Sequence, residues 1–144
     1  MSIRYKIEIL KPQLNDYVYA GIVHVNPENG EQTPVYSKVL ETNVNGKMVV
    51  EGSQKTPWIV DIKHITPIPI NDEILKKIGF EYSYILRACW FIETQIGTIQ
   101  LIQDIISGYR IEIDGTRIPI PAVEYVHELQ QLLRVFHTEI EIEL

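Results

Sequence analysis

Four histidines, one cysteine and nineteen carboxylates are the residues that could carry chemistry in this 144-residue chain. His24, His64, His127 and His137 show no metal-ligand spacing; the last two are ten apart, on different faces of any helix that spans both. Asp61 and His64 are three apart on an expected strand, which turns them to opposite sides. Cys89 stands alone in R-A-C-W-F-I, so neither an internal disulfide nor a cysteine zinc site can form. A buried, inert thiol is the expectation there. No glycine-rich phosphate loop and no G-x-S-x-G is present. No catalytic, cofactor-binding or metal-binding residue is assigned, and no cofactor is implied.

Composition narrows the function classes further. An apolar fraction of 45% supports a core. No run is long and apolar enough for a membrane span, and Ser2–Lys11 alternates charge with apolar residues instead of building a signal-peptide core. The expected location is the cytoplasm, without a membrane partner. The net charge of −6 is uneven: residues 1–65 carry seven Lys/Arg and seven Asp/Glu, residues 66–144 six and twelve. Neither half has the basic stripe that duplex nucleic acid requires.

The elements that would position any site fall into two groups. Residues 1–65 read as β. Ile3, Tyr5, Ile7 and Ile9 alternate with charged residues. Tyr17–Val25 follows, with Gly21 as a bulge candidate. Val35–Thr42, Met48–Glu51 and Trp58–His64 complete the set, with Asn29-Gly30 and Asn45-Gly46 as hairpin turns. Short strands in this number predict a small SH3-like barrel, because curling hides the edges.

Residues 66–144 read as an α+β unit with an antiparallel sheet and two helices. In Ile65–Phe80, Pro67 and Pro69 keep the chain extended. Asn71 is an N-cap, Asp72 and Glu73 suit the positive helix end, and Lys76 and Lys77 the negative one. Ile70 and Leu75 have staple spacing, Gly79 is the left-handed stop, and Phe80 folds back. A helix over 71–78 is expected. Tyr82–Glu93 reads as one long central strand, Ile99–Ile106 as the next, then Tyr109–Ile113, an Asp114-Gly115 turn and Arg117–Ile120. Ala122, Tyr125, Val126, Leu129, Leu132, Leu133 and Phe136 form an apolar stripe that predicts a helix over 122–137. Thr138–Leu144 alternates as a short terminal strand.

Two motifs, D-I-K-H-I-T-P-I-P-I-N-D-E-I-L-K-K-I-G-F at Asp61–Phe80 and V-E-Y-V-H-E-L-Q-Q-L-L at Val123–Leu133, together resemble a family of small proteins from Bacteroidetes and from their phages and prophages. Leu14-Asn15-Asp16-Tyr17-Val18 is similar to that family's opening I-G-N-Y-V. Glu128 and Gln131 depart from its usual Gln and Asn, and Thr138 stands where it usually has Gly. The resemblance implies a phage or mobile-element setting and transfers no catalytic residue.

Two surfaces are candidates for binding. Glu124, His127, Gln131 and Arg134, with neighbouring Gln130, would line the side of the last helix opposite its apolar stripe, as a polar strip for a partner chain or a second copy. Tyr17, Tyr19, Tyr36 and Trp58 would form an aromatic platform on the barrel for a peptide or single-stranded nucleic acid. The leading expectation is a non-enzymatic phage or prophage accessory protein that acts through protein–protein contact, as a homo-oligomer. A nucleic-acid or nucleotide binder using the barrel aromatics is the second, and an enzyme with a cleft between the halves the third.

Overall fold

A computed structural model describes residues 12–52, 55–85, 88–136, 138, 140 and 142–144. The strand expected at Ile3–Ile9 lies outside the described residues. The fold is mixed α+β, with antiparallel sheets and two helices. It divides into two compact units, one ending at Ile68 and one beginning at Pro69.

The first unit is a curled antiparallel sheet of β1 (Tyr17–Val25), β2 (Gln32–Val44), β3 (Lys47–Glu51) and β4 (Pro57–Asp61), in that order. Its curl has a visible cause. Residues 32–38 of β2 pair with β1 and residues 39–44 with β3, so one long strand serves both neighbours. Gly21, at φ 76°, sits where the β1 register slips between Tyr19 and Val23. Asn45 and Gly46, at φ 55° and 77°, close the β2–β3 hairpin with the left-handed pair that suits strand twist. Val18, Ala20, Val39, Met48, Val50 and Ile65 form the core.

The strand expected over Trp58–His64 stops at Asp61. Ile62–His64 is a 3-10 turn, and the Asp61 carboxylate accepts from the Lys63 N–H at 3.4 Å. Asp61 and His64 are therefore not two residues of one strand. The chain then returns to β1: Tyr19 and Thr66 exchange backbone hydrogen bonds of 2.9 Å in both directions.

The second unit opens with α1 (Asp72–Ile78), and its caps form as the sequence specifies. Asn71 Oδ1 accepts from the Ile74 N–H at 2.9 Å. Gly79, at φ 117°, ends the helix, and the Phe80 N–H returns to the Leu75 carbonyl at 2.9 Å. The sheet follows as β5 (Glu81–Ser83), β6 (Cys89–Thr94), β7 (Gly97–Gln103), β8 (Tyr109–Ile113) and β9 (Thr116–Arg117), in sequence order. The last helix is α2 (Val126–Val135).

Several sequence expectations are corrected here. Tyr82–Glu93 is not one central strand. It is the hairpin β5–β6, with Ser83 opposite Cys89 and β5 at the sheet's edge. The Ser83 hydroxyl accepts from the Ile85 N–H at 3.4 Å, a local bond that draws the backbone out of the ladder. The strand expected over Ile99–Ile106 ends at Gln103, because Asp104 turns the chain: its carboxylate accepts from the Ile106 N–H at 3.1 Å. The strand expected over Arg117–Ile120 is only Thr116–Arg117 long.

The last helix begins at Val126, not Ala122, since Val123 is committed to a two-way backbone pairing with Tyr109 at 2.8 and 2.9 Å. Glu128 then caps the start by accepting from the Tyr125 N–H at 3.1 Å. At the other end both the N–H and the hydroxyl of Thr138 donate to the Leu133 carbonyl, at 3.1 and 2.9 Å. Thr138, Ile140 and residues 142–144 are not in a strand.

The two extended stretches that lead into the helices pair with each other. The Ile70 N–H donates to the Glu124 carbonyl at 3.0 Å, and Pro69 bridges to Tyr125. Ile74 and Leu75 of α1, Val126, Leu129 and Leu133 of α2, and Ile99, Leu101 and Ile111 of the sheet are buried. Those three sheet residues share a face, because Ile99 and Leu101 alternate and Leu101 stands opposite Ile111.

Candidate functional site

The strip expected on the last helix does not form. His127 is fully buried and Gln130 nearly so, alongside Val126, Leu129 and Leu133. The buried face of α2 is wider than an apolar stripe and includes two polar residues, while Leu132 is only half-buried and Val135 is exposed. His127 stacks on Tyr125, ring centroids 6.1 Å apart and 16° from parallel. Glu124 precedes the helix and accepts a hydrogen bond from the Ser107 hydroxyl. Gln131 is half-buried, and only Arg134 of the five is exposed.

The barrel aromatics are partly brought together. Tyr17, Tyr19, Tyr36 and Lys38 share one face of β1–β2, opposite the face that carries Val18, Ser37 and Val39. Tyr19 and Tyr36 are cross-strand partners with ring centroids 5.5 Å apart. Burial, then the hydrogen bond with Tyr36, raises the Tyr19 hydroxyl above its ordinary pKa. Tyr17 is buried, with the Lys38 ammonium 5.9 Å above its ring. Trp58 stands on the other face, opposite Val50. Its indole rests on Gly52, where a Cβ would come within 2.6 Å of the ring, and its N–H donates to Thr56 Oγ1 at 3.1 Å. The four do not make one platform.

A different aromatic group, which the sequence reading did not single out, surrounds a cleft of about 480 Å³ in the second unit. Register builds it. Tyr82 stands opposite Trp90, Trp90 opposite Leu101, and Gln103 opposite Tyr109, all on the sheet face that buries Leu101 and Ile111. Asp72 and Lys76, one turn apart on α1, close the other side. Tyr82 meets Trp90 at 5.1 Å and 61°, and meets Tyr84 at 4.7 Å and 79°, both edge-to-face. Trp90 is buried, Tyr82 is 40% exposed and Tyr84 80% exposed. The Tyr109 hydroxyl is raised above its ordinary pKa, first by burial, then by the Asp72 carboxylate, then by Tyr82.

The cleft opens at one end of the sheet. The start of β6, the end of β7 and the start of β8 lie together there, so residues 84–85 and the 104–108 loop are neighbours. Both carry bare apolar side chains: Ile85 is 91% exposed, Ile105 100% and Ile106 92%. Cys89 is buried beside the cleft. His24 and His64 are exposed in the first unit. Among the described residues no group of three or more His, Cys, Asp or Glu could hold a metal ion, and no helix is long and apolar enough to cross a membrane.

No family model, curated protein or solved structure matches this chain. The geometry of the cleft and its two loops therefore carries the functional argument. That geometry supplies flat π faces, the Asp72 carboxylate and the Lys76 ammonium, with exposed isoleucines on the chain beyond, which is equipment for holding a ligand. Tyr82 escaped the sequence reading because Y-I-L-R-A contains no turn dipeptide, so nothing announced a hairpin that would face it with Trp90.

Proposed function

We propose that this chain is a non-enzymatic binding protein that acts by protein–protein contact, an accessory protein of a phage or prophage working in the host cytoplasm. Its partner docks at the loop end of the second unit's sheet. One observation carries the reading: Tyr84, which lines the aromatic cleft, and Ile85, Ile105 and Ile106, each at least 80% exposed, stand at the same loop end of the sheet. Exposed isoleucines scattered singly would need no explanation, but a cluster beside a cleft is how interaction sites look on a monomer's surface. The edge strand β5 adds a place for an extended segment to pair. The first unit, read as an SH3-like barrel from its strand order, its 3-10 turn and the return of Thr66 to Tyr19, serves as the carrier.

Photocrosslinking in the native host tests this. A photoreactive phenylalanine analogue is placed at Ile85 or Ile106, and as a control at Ile96, in the β6–β7 turn at the opposite end of the sheet. The expected outcome is one discrete protein adduct from the first two positions and none from the third. Equal labelling at all three positions, or no adduct at any, would sink the proposal. An adduct of twice the chain's own mass would identify a second copy as the partner, the homo-oligomeric form of the same reading.

A further inference from the structure

We infer that the cleft beside α1 is a receptor for a single cationic side chain, an arginine, presented by the docked partner. The inference rests on the docking surface proposed above and names what enters it. Tyr82, Tyr84 and Trp90 meet edge-to-face, so their π faces look in different directions around one space. Such faces attract a cation, and a planar guanidinium can lie flat on one while its edge meets another.

Asp72 gives the space a negative wall. It is exposed at the first position of α1 and forms no ion pair among the described residues. Its field is felt inside the cleft, since it helps hold the Tyr109 proton. Lys76 also lines the space, yet among the described residues no lysine rests on these rings, in contrast to Lys38 on Tyr17. Charge complementarity extends over the whole unit, in which twelve acidic residues face six basic ones. A partner segment carrying a positive side chain among apolar neighbours would satisfy both the cleft and the exposed isoleucines at the same end of the sheet. The same balance disfavours an anionic bilayer or a polynucleotide as occupant.

The test uses the full chain with Trp58→Phe, leaving Trp90 as the one tryptophan. It is titrated with acetyl-Val-Arg-Val-amide and with the same peptide carrying citrulline, which keeps the shape and loses the charge. The expected result is saturable quenching of Trp90 by the arginine peptide and about tenfold weaker binding of the citrulline peptide. Asp72→Asn and Tyr84→Ala, both at exposed positions, should each weaken the arginine peptide several-fold while the circular dichroism spectrum stays that of the folded chain. Equal binding of the two peptides overturns the cation receptor and leaves the docking surface standing. So does an absence of quenching by either peptide while the Ile106 crosslink persists. Loss of the crosslink as well removes both. Tighter binding of adenosine monophosphate, or of phosphatidylserine vesicles, than of the arginine peptide would overturn both in favour of a nucleotide or a membrane.

Discussion

In the first unit Tyr19 faces Tyr36 across the β1–β2 ladder, Tyr17 is buried beneath Lys38, and Trp58 lies flat on Gly52. In the second unit Tyr82 faces Trp90 across the β5–β6 ladder in the same way, but two residues further along the chain Tyr84 is left in the open. Composition does not distinguish the two groups. Position along the strand does. A ring in register with the opposite strand finds a cross-strand partner within about 5 Å. A ring just past the last paired residue, as Tyr84 is after Ser83, has none in the ladder. The second unit places that boundary beside α1, and so turns an aromatic pair into the wall of a cleft.

The harshest way to probe the contrast is to remove a fully enclosed side chain from the second unit. Leu129 is fully buried on α2. Leu129→Ala should cost roughly 2–5 kcal/mol, from lost burial and the cavity left behind. Chemical unfolding followed by circular dichroism measures it. A loss below about 1 kcal/mol would mean that α2 does not pack as described.

A smaller effect separates the buried face of α2 from the strip that its polar residues suggest. His127→Ala should destabilise by about 1–3 kcal/mol, and Arg134→Ala by under about 0.5 kcal/mol, because the first side chain is enclosed and the second is not. Neither change should alter the Ile106 crosslink. If His127→Ala left stability intact and abolished the adduct, the helix face would be the interface and the loop end would not.

That pair of residues also marks where the sequence stops being readable. The capped helix at Asp72–Ile78, the bulge at Gly21 and the Asn45-Gly46 turn each follow from interactions within a few residues, and they stand where the pattern puts them. His127 is different. An imidazole suits either a solvated or an enclosed position, and only the tertiary surroundings choose between them. The break after Ser83 is a second case, since a serine hydroxyl, with no glycine or proline beside it, takes up the Ile85 N–H. The chain break at Asp104 is a third: the apolar run continues through Ile105 and Ile106, and a single aspartate side chain overrules it. The candidate site is built from those last two features. This is why its residues could be listed from the sequence but not assembled from it.

The finest test concerns protons, and it compares a tyrosine of each unit. Tyr19 and Tyr109 both hold their hydroxyl protons above the ordinary value of 10.0, and burial is the first cause in each. An acid whose folded-state pKa is raised contributes its full stability below the unfolded value. That contribution is lost as the pH climbs through the folded one. Both residues should therefore leave stability flat below pH about 10 and weaken it at higher pH. Tyr19→Phe or Tyr109→Phe should each make the alkaline decline shallower. The second cause differs: a neighbouring hydroxyl, Tyr36, for Tyr19, and a carboxylate, Asp72, for Tyr109. Asp72→Asn should thus bring the Tyr109 titration down towards the ordinary value and leave Tyr19 where it is, as read by tyrosinate absorbance with single Tyr→Phe variants assigning each step. A Tyr109 titration that ignores Asp72→Asn would mean that the carboxylate's field does not reach the cleft, and the negative wall on which an arginine depends would be gone.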